Sequence, residues 1–80
     1  MLKILIIEDD YAFSNYLNLS LHKLGYEDII VCNSTKDARK YISENDISII
    51  LLDIFLFQEN TIDFAHSIQK ENIPIIFMTQ

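Results

Sequence analysis

The sequence predicts an α/β fold, a doubly wound parallel sheet with helices on both faces, and three observations predict it. Short apolar runs rich in β-branched residues recur four times along the 80 residues, the pattern of strands buried on both faces. Segments whose apolar residues follow helical spacing separate those runs. Each change of period falls beside a residue that caps a helix or sets up a strand. The resulting order is βαβαβαβ, and short connections between such elements require right-handed crossovers.

The first strand spans Leu2 to Ile7 and stops abruptly at Glu8-Asp9-Asp10. From Tyr11 to Leu24 the apolar positions Phe13, Leu17, Leu21 and Leu24 predict a helix, and Gly25 stands where a left-handed C-terminal cap is expected. A brief second strand covers Ile29 to Cys32. Ser34, followed three residues later by Asp37, predicts the start of a second helix with Ala38, Tyr41 and Ile42 turned inward, ending at Asn45 or Asp46. The third strand covers Ile47 to Leu52, and apolar character resumes after Asp53 as Ile54-Phe55-Leu56-Phe57. Gln58 to Thr61 is a loop in which Asn60 or Thr61 caps a third helix, with Ile62, Ala65 and Ile68 on its inner face and its end near Asn72. Pro74 then sets up a fourth strand, Ile75 to Met78.

Composition narrows the function classes. Glycine and proline contribute one residue each, where average usage in a chain of this size gives roughly 10 together. Glycine-rich phosphate loops and dinucleotide fingerprints therefore have no material. Twelve acids against six bases leave a net charge of -6, and no basic stripe exists to displace counterions from nucleic acid, so this segment is not expected to contact it directly. The single cysteine, Cys32, makes neither an internal disulfide nor a thiolate zinc site; it reads as a small buried hydrophobe in a reduced, cytoplasmic protein. No apolar run reaches a bilayer span, and the N-terminal LKILII leads into three acids rather than a cleavage site. No membrane segment is expected.

In an open parallel sheet, ligands bind beyond the carboxyl ends of the strands, which draws attention to Glu8, Asp9, Asp53 and Thr79. Singly, each has a structural explanation: Asp9 or Asp10 capping a helix, Asp53 opening a turn, Thr79 closing a strand. Together they are harder to explain that way. Asp53 is bracketed by IILL and IFLF, so its charge needs compensation. If the first and third strands are neighbours, it also faces Glu8 and Asp9. Carboxylates about 4 Å apart repel by about 4 kcal/mol per pair at an effective dielectric near 20. A cation resolves that repulsion, and an all-oxygen donor set without His or Cys favours Mg²⁺.

With those residues in view, the chain resembles the first two-thirds of a response-regulator receiver domain of two-component signalling. The resemblance rests on ILIIEDD at the first strand, Gly25-Tyr26 after the first helix, Ala38 in the second, ILLD ending at Asp53 and IPIIFMT ending at Thr79. It implies a flavodoxin-like sheet of strand order 2-1-3-4, with the fifth strand missing from this chain, so that residues 1–80 form a receiver domain incomplete on its C-terminal side. Carried over by position, Asp53 resembles the phosphoacceptor, Asp9 a direct Mg²⁺ ligand, Glu8 a ligand through water, Phe55 a backbone-carbonyl ligand and Thr79 the switch hydroxyl. Two departures stand out: Phe57 where the family usually has proline, and Thr61 where it usually has glycine before the third helix.

The implied function is a phosphorelay switch. Asp53 takes a phosphoryl group from a histidine kinase or phosphotransfer protein with Mg²⁺ as cofactor, turning over no external substrate. An alternative is a pseudo-receiver that works by protein interaction without phosphorylation. A Mg²⁺-dependent hydrolase or nuclease site, which needs a second acid two residues from the first, is weaker: Phe55 stands at that place after Asp53, although Asp10 stands two residues after Glu8. A flavodoxin-type cofactor site is weaker still, since three acids follow the first strand where a phosphate needs donors. His22 and His66 read as solvated helix positions. The loop Leu56 to Asn60 is expected to be mobile or to present Phe57 to a partner. The apolar fourth strand, IIFM, is expected to need a further neighbour, either more of a longer polypeptide or a second copy in a homodimer.

Overall fold

The seven elements expected from the sequence form in the expected order. The computed structural model describes residues 1–79. Strand β1 is Lys3–Ile7, helix α1 Tyr11–Lys23, β2 Asp28–Cys32, α2 Thr35–Glu44, β3 Ile49–Asp53, α3 Thr61–Ser67 and β4 Ile75–Met78. A single 3₁₀ turn, Gln69–Glu71, follows α3.

All pairings are parallel and the sheet order is β2-β1-β3-β4, the flavodoxin-like order that the resemblance implied. The order fixes which helix lies on which face. From β1 to β2 the chain steps one way across the sheet, and from β2 to β3 it steps back across β1. Right-handed crossovers therefore put α1 on one face and α2 on the other, and α3, which steps in the same direction as α2, joins it there.

The two faces are not equally sealed. Alternation along the strands turns Leu5, Ile7, Cys32, Ile50 and Leu52 to the α2/α3 side, where they form one continuous core with Ala38, Leu56, Phe64 and Ile68. Arg39 closes the seam between those helices, its guanidinium 5.0 Å above the Phe64 ring. Helix α1 buries only Ser14 fully, while Phe13, Leu17 and Leu21 are half-buried. Central position explains why Ile4 to Ile7 are all buried: β1 has a strand on each side.

Caps set the helix phases, and here the structure corrects several sequence expectations. Asp10 Oδ1 accepts the Phe13 N–H at 3.1 Å, Ser34 Oγ accepts the Asp37 N–H at 3.2 Å and Asn60 Oδ1 accepts the Asp63 N–H at 3.0 Å. With Asn60 as cap, Thr61 begins α3 and turns inward with Phe64 and Ile68. Ile62, expected inside, is 47% exposed. The α-helix ends at Ser67, where Ile68 (φ -104°, ψ 10°) leaves helical geometry, and the 3₁₀ turn carries the helical segment on to the left-handed Asn72 (φ 57°), near which its end was expected. Leu24, expected on the inner face of α1, is the exposed C-cap residue just before Gly25, whose φ of 99° turns the chain. The third strand starts at Ile49, two residues later than expected, and reaches Asp53. Ser48 instead pins the start of β1, its Oγ accepting the Lys3 N–H at 2.9 Å.

Candidate functional site at the carboxyl edge of the sheet

Register brings the acids together. Ile7 pairs with Leu52, so the residues that follow them, Glu8 and Asp53, emerge side by side at the carboxyl edge. One carboxylate oxygen from each of Glu8, Asp9 and Asp53 lies within 4.8 Å of the others. Glu8 is 2% exposed and Asp53 4% exposed, whereas Asp9 faces solvent. The third acid of the sequence run, Asp10, is not in the group. It caps α1.

The electrostatics are those of a site short of positive charge. Burial pushes the Glu8 carboxyl up from 4.5 to about 7; the Asp10 N–H, donating to Glu8 Oε2 at 3.1 Å, works against the shift, while a hydrogen bond with the Asp53 carboxyl and the charges of Asp53 and Asp9 add to it. Glu8 therefore exchanges its proton around neutral pH. Among the described residues the one salt bridge, Lys3 to Asp28 at 3.8 Å, lies at the opposite end of the sheet. Asp53 Oδ1 accepts the Phe55 N–H at 2.9 Å, which fixes the carboxylate in place.

The loop after Asp53 is tied down at several points rather than loose. Phe57 N–H donates to Asp9 Oδ2 at 2.8 Å. Thr61 Oγ1 donates to the Ile54 carbonyl at 2.7 Å, so this hydroxyl occupies space that a glycine would leave open and satisfies a backbone acceptor. The Glu59 carboxylate accepts the Thr35 N–H at 3.1 Å and also the Thr35 hydroxyl, which binds the loop to the first turn of α2. Gln58 takes the left-handed conformation at φ 58°. Leu56 is buried beneath the loop, and Phe57 is 76% exposed, which agrees with the expectation of a presented ring.

Of the remaining residues singled out from sequence, Thr79 follows β4 directly at the same edge, since Met78 pairs with Asp53, and it is exposed. Phe55 lies in the turn after Asp53 with its ring exposed. His22 and His66 sit on exposed helix positions. Cys32 is buried, and burial pushes its thiol up to about 12, which keeps it inert. A cleft of about 420 Å³ opens beside the acids between the β1–α1 turn and α2, lined among others by Tyr11, Cys32, Asp37 and Tyr41. Thr35 and Glu59 were not visible as a pair in the sequence. The sequence points to Phe57 as a departure from the usual proline and as a ring to be presented, but not to its backbone bond with Asp9.

The donor set suits a small hard cation. Three carboxylates supply oxygen only, two of them walled off from water and one open to it, which matches the preference of Mg²⁺ for few protein carboxylates and several retained waters. No helix is long and apolar enough to cross a membrane among the described residues.

Comparison with known proteins agrees with this geometry. A model of the response regulator receiver domain matches residues 4–80. The chain is 31% identical over 80 residues to the transcriptional regulatory protein CrdR of Helicobacter pylori, covering 96% of this chain and 37% of that protein. It is also 31% identical over 78 residues to the DNA-binding transcriptional regulator NtrC of a Bradyrhizobium strain, covering 95% of this chain and 16% of that protein. The chain thus spans well under half the length of these curated relatives. Among solved structures it is similar to the MaeR response regulator bound to beryllium trifluoride, with a TM-score of 0.90 and 32% identity over 99% of this chain and 67% of that one. The chain belongs to the response regulator receiver domain family.

Proposed function

We propose that this receiver domain is a phosphorelay switch whose phosphoacceptor is Asp53. The observation that carries the reading is the convergence of Glu8, Asp9 and Asp53 within 4.8 Å at the carboxyl edge of the receiver sheet. A carboxylate oxygen of Asp53 attacks the phosphorus of a phosphohistidine on a partner kinase or phosphotransfer protein. The new O–P bond forms as the P–N bond breaks, and its electron pair returns to the imidazole. Asp9, Asp53, the Phe55 carbonyl and, through water, Glu8 would hold Mg²⁺, which when bound would supply neutralising charge for the transferring group.

The chain's own residues do the rest. Phe55 N–H holds Asp53 in one rotamer, so the nucleophile loses little freedom when the partner docks. Burial of Glu8 and Asp53 excludes water from the inner side of the site. The added charge of about -1.5 to -2 on the acyl phosphate recruits the Thr79 hydroxyl, drawing the end of β4 toward Asp53 and altering the surface beyond it. The beryllium trifluoride held by the similar MaeR protein is a phosphoryl mimic and supports the same chemistry here. The domain modifies itself and turns over no external substrate pool.

Incubation with acetyl phosphate, read by intact-protein mass spectrometry, tests the proposal. A gain of one phosphoryl group that requires Mg²⁺ and is lost in Asp53→Asn is expected. Equal labelling of Asp53→Asn would overturn the assignment, and no labelling at any Mg²⁺ concentration would favour the phosphorylation-independent module.

A further inference from the structure

Asp9 is the one exposed member of the acid cluster, and electrostatics alone would not keep it there. Its neighbours are two other carboxyls, and a short side chain with water beside it relieves repulsion by rotating outward. What opposes that rotation is a backbone group from the far side of the site. The Phe57 N–H donates to Asp9 Oδ2 at 2.8 Å, in the same conformation in which the three acids converge.

The aim of that N–H is set by the loop and not by the phenyl ring, which is 76% exposed. Gln58 turns the chain through the left-handed region, and the Glu59 N–H donates to the Leu56 carbonyl at 3.2 Å to close the turn. The Glu59 carboxylate then anchors the loop to Thr35 at the start of α2. A proline at position 57 has no N–H and could not reach Asp9 in this way.

We propose that the Phe57 backbone N–H is a positioning group for the cation site: it holds Asp9 in the ligating pose, so that cation occupancy and the conformation of loop 56–60 are coupled. The inference rests on the reading of the acid cluster as a Mg²⁺ site. Because binding linkage is reciprocal, a cation at the cluster stiffens the loop that displays Phe57, and whatever braces the loop raises cation affinity.

Calorimetric titration of the full chain with MgCl₂ tests this, with an amide-to-ester replacement of the Leu56–Phe57 bond and Phe57→Pro as the two variants that lack the N–H. Both are expected to bind Mg²⁺ about tenfold more weakly, a change of about 1.4 kcal/mol that falls within the worth of a hydrogen bond to a charged group. Phe57→Ala, the conservative variant that keeps the N–H, is expected to bind within about twofold of the unaltered chain. The ester preserves side chain and chain direction, so it decides the matter if the proline variant does not fold. Unchanged affinity in the ester, or an equal loss in Phe57→Ala, would overturn the proposal. In amide-exchange NMR the Phe57 proton is expected to stay protected and gain protection with MgCl₂; loss of protection on adding the salt would overturn it as well. If the unaltered chain shows no heat with millimolar MgCl₂, the Mg²⁺ reading of the cluster fails and the proposal with it, an outcome distinct from a chain that binds with no dependence on the N–H.

Discussion

Ile7 and Glu8 are consecutive, both are essentially buried at 0% and 2% exposure, and they act in opposite senses. Ile7 packs with Leu52 and Ile50 in a core where apolar side chains meet only one another. Glu8, one residue on, meets the carboxyls of Asp53 and Asp9. The interior of the sheet supplies stability, and the rim directly above consumes some of it to hold like charges together. The layer beneath holds the three carboxyls close together, and under the proposed function that stored repulsion is what a cation or a phosphoryl group would act on.

Four measurements break or sharpen that contrast. Leu52→Ala opens a cavity in the lower layer and is expected to destabilise by about 2–5 kcal/mol. Urea unfolding should return a similar loss at pH 5 and pH 7.5, with and without MgCl₂; a strong dependence on either would blur the boundary between core and rim.

Glu8 gives the opposite signature. Its folded-state value is raised from 4.5 to about 7, so the folded chain holds that proton more tightly than the unfolded one. The stability it confers is fully present below about pH 4.5 and is lost as pH rises through 7, by about 3 kcal/mol in all. Chelated protein should therefore weaken over that range, and Glu8→Gln should flatten the profile. An unchanged slope in Glu8→Gln would assign the pH dependence elsewhere.

Adding Mg²⁺ at about 100 times its Kd is expected to return about 2.7 kcal/mol at neutral pH, seen as a rise in melting temperature. Asp53→Asn should shrink that rise, since it removes one of the proposed ligands. The smallest effect belongs to the Thr35–Glu59 link. Thr35→Val removes the hydroxyl but keeps the N–H, and a net loss of about 1 kcal/mol is expected, with hydrogen exchange quickened in residues 56–60 and hardly altered in β1.

How much of this the sequence carries differs between the same two layers. The core was legible because β-branched runs and caps are local: ILII, IILL and the Ser34/Asp37 spacing each declare an element without knowledge of the rest. The acids were legible because IILL and IFLF bracket Asp53 and leave its burial without a solubility motive. The phase of α3 was not, since Ile62 and Phe64 are equally apolar and only the choice of Asn60 over Thr61 as cap decides which faces inward. Nor were the bonds from Phe57 to Asp9 and from Thr35 to Glu59 legible. They join residues 48 and 24 positions apart through backbone groups, whose direction depends on loop torsions and not on residue type.

The order β2-β1-β3-β4 also bears on how the domain is made. No two neighbouring strands form a hairpin: Lys3 pairs with Asp28, Ile4 with Ile49 and Ile50 with Ile75. Every rung of the sheet therefore waits for a crossover to close, which places the fold among slow, non-local topologies. The strand made first is the one that ends in the middle. During synthesis at about 5–20 residues per second, β1 has β2 as a partner several seconds at most after its own emergence, but Ile4 meets Ile49 only once the intervening segment is complete. Glu8 and Asp53 follow the final register pair of that seam, Ile7 with Leu52, so the two buried acids converge only when the central seam is closed. With divalent cations chelated, refolding is expected to run faster at pH 5 than at pH 7.5, where the Glu8 proton that relieves the pair is lost; equal rates at the two pH values would place the convergence of the acids after the folding barrier.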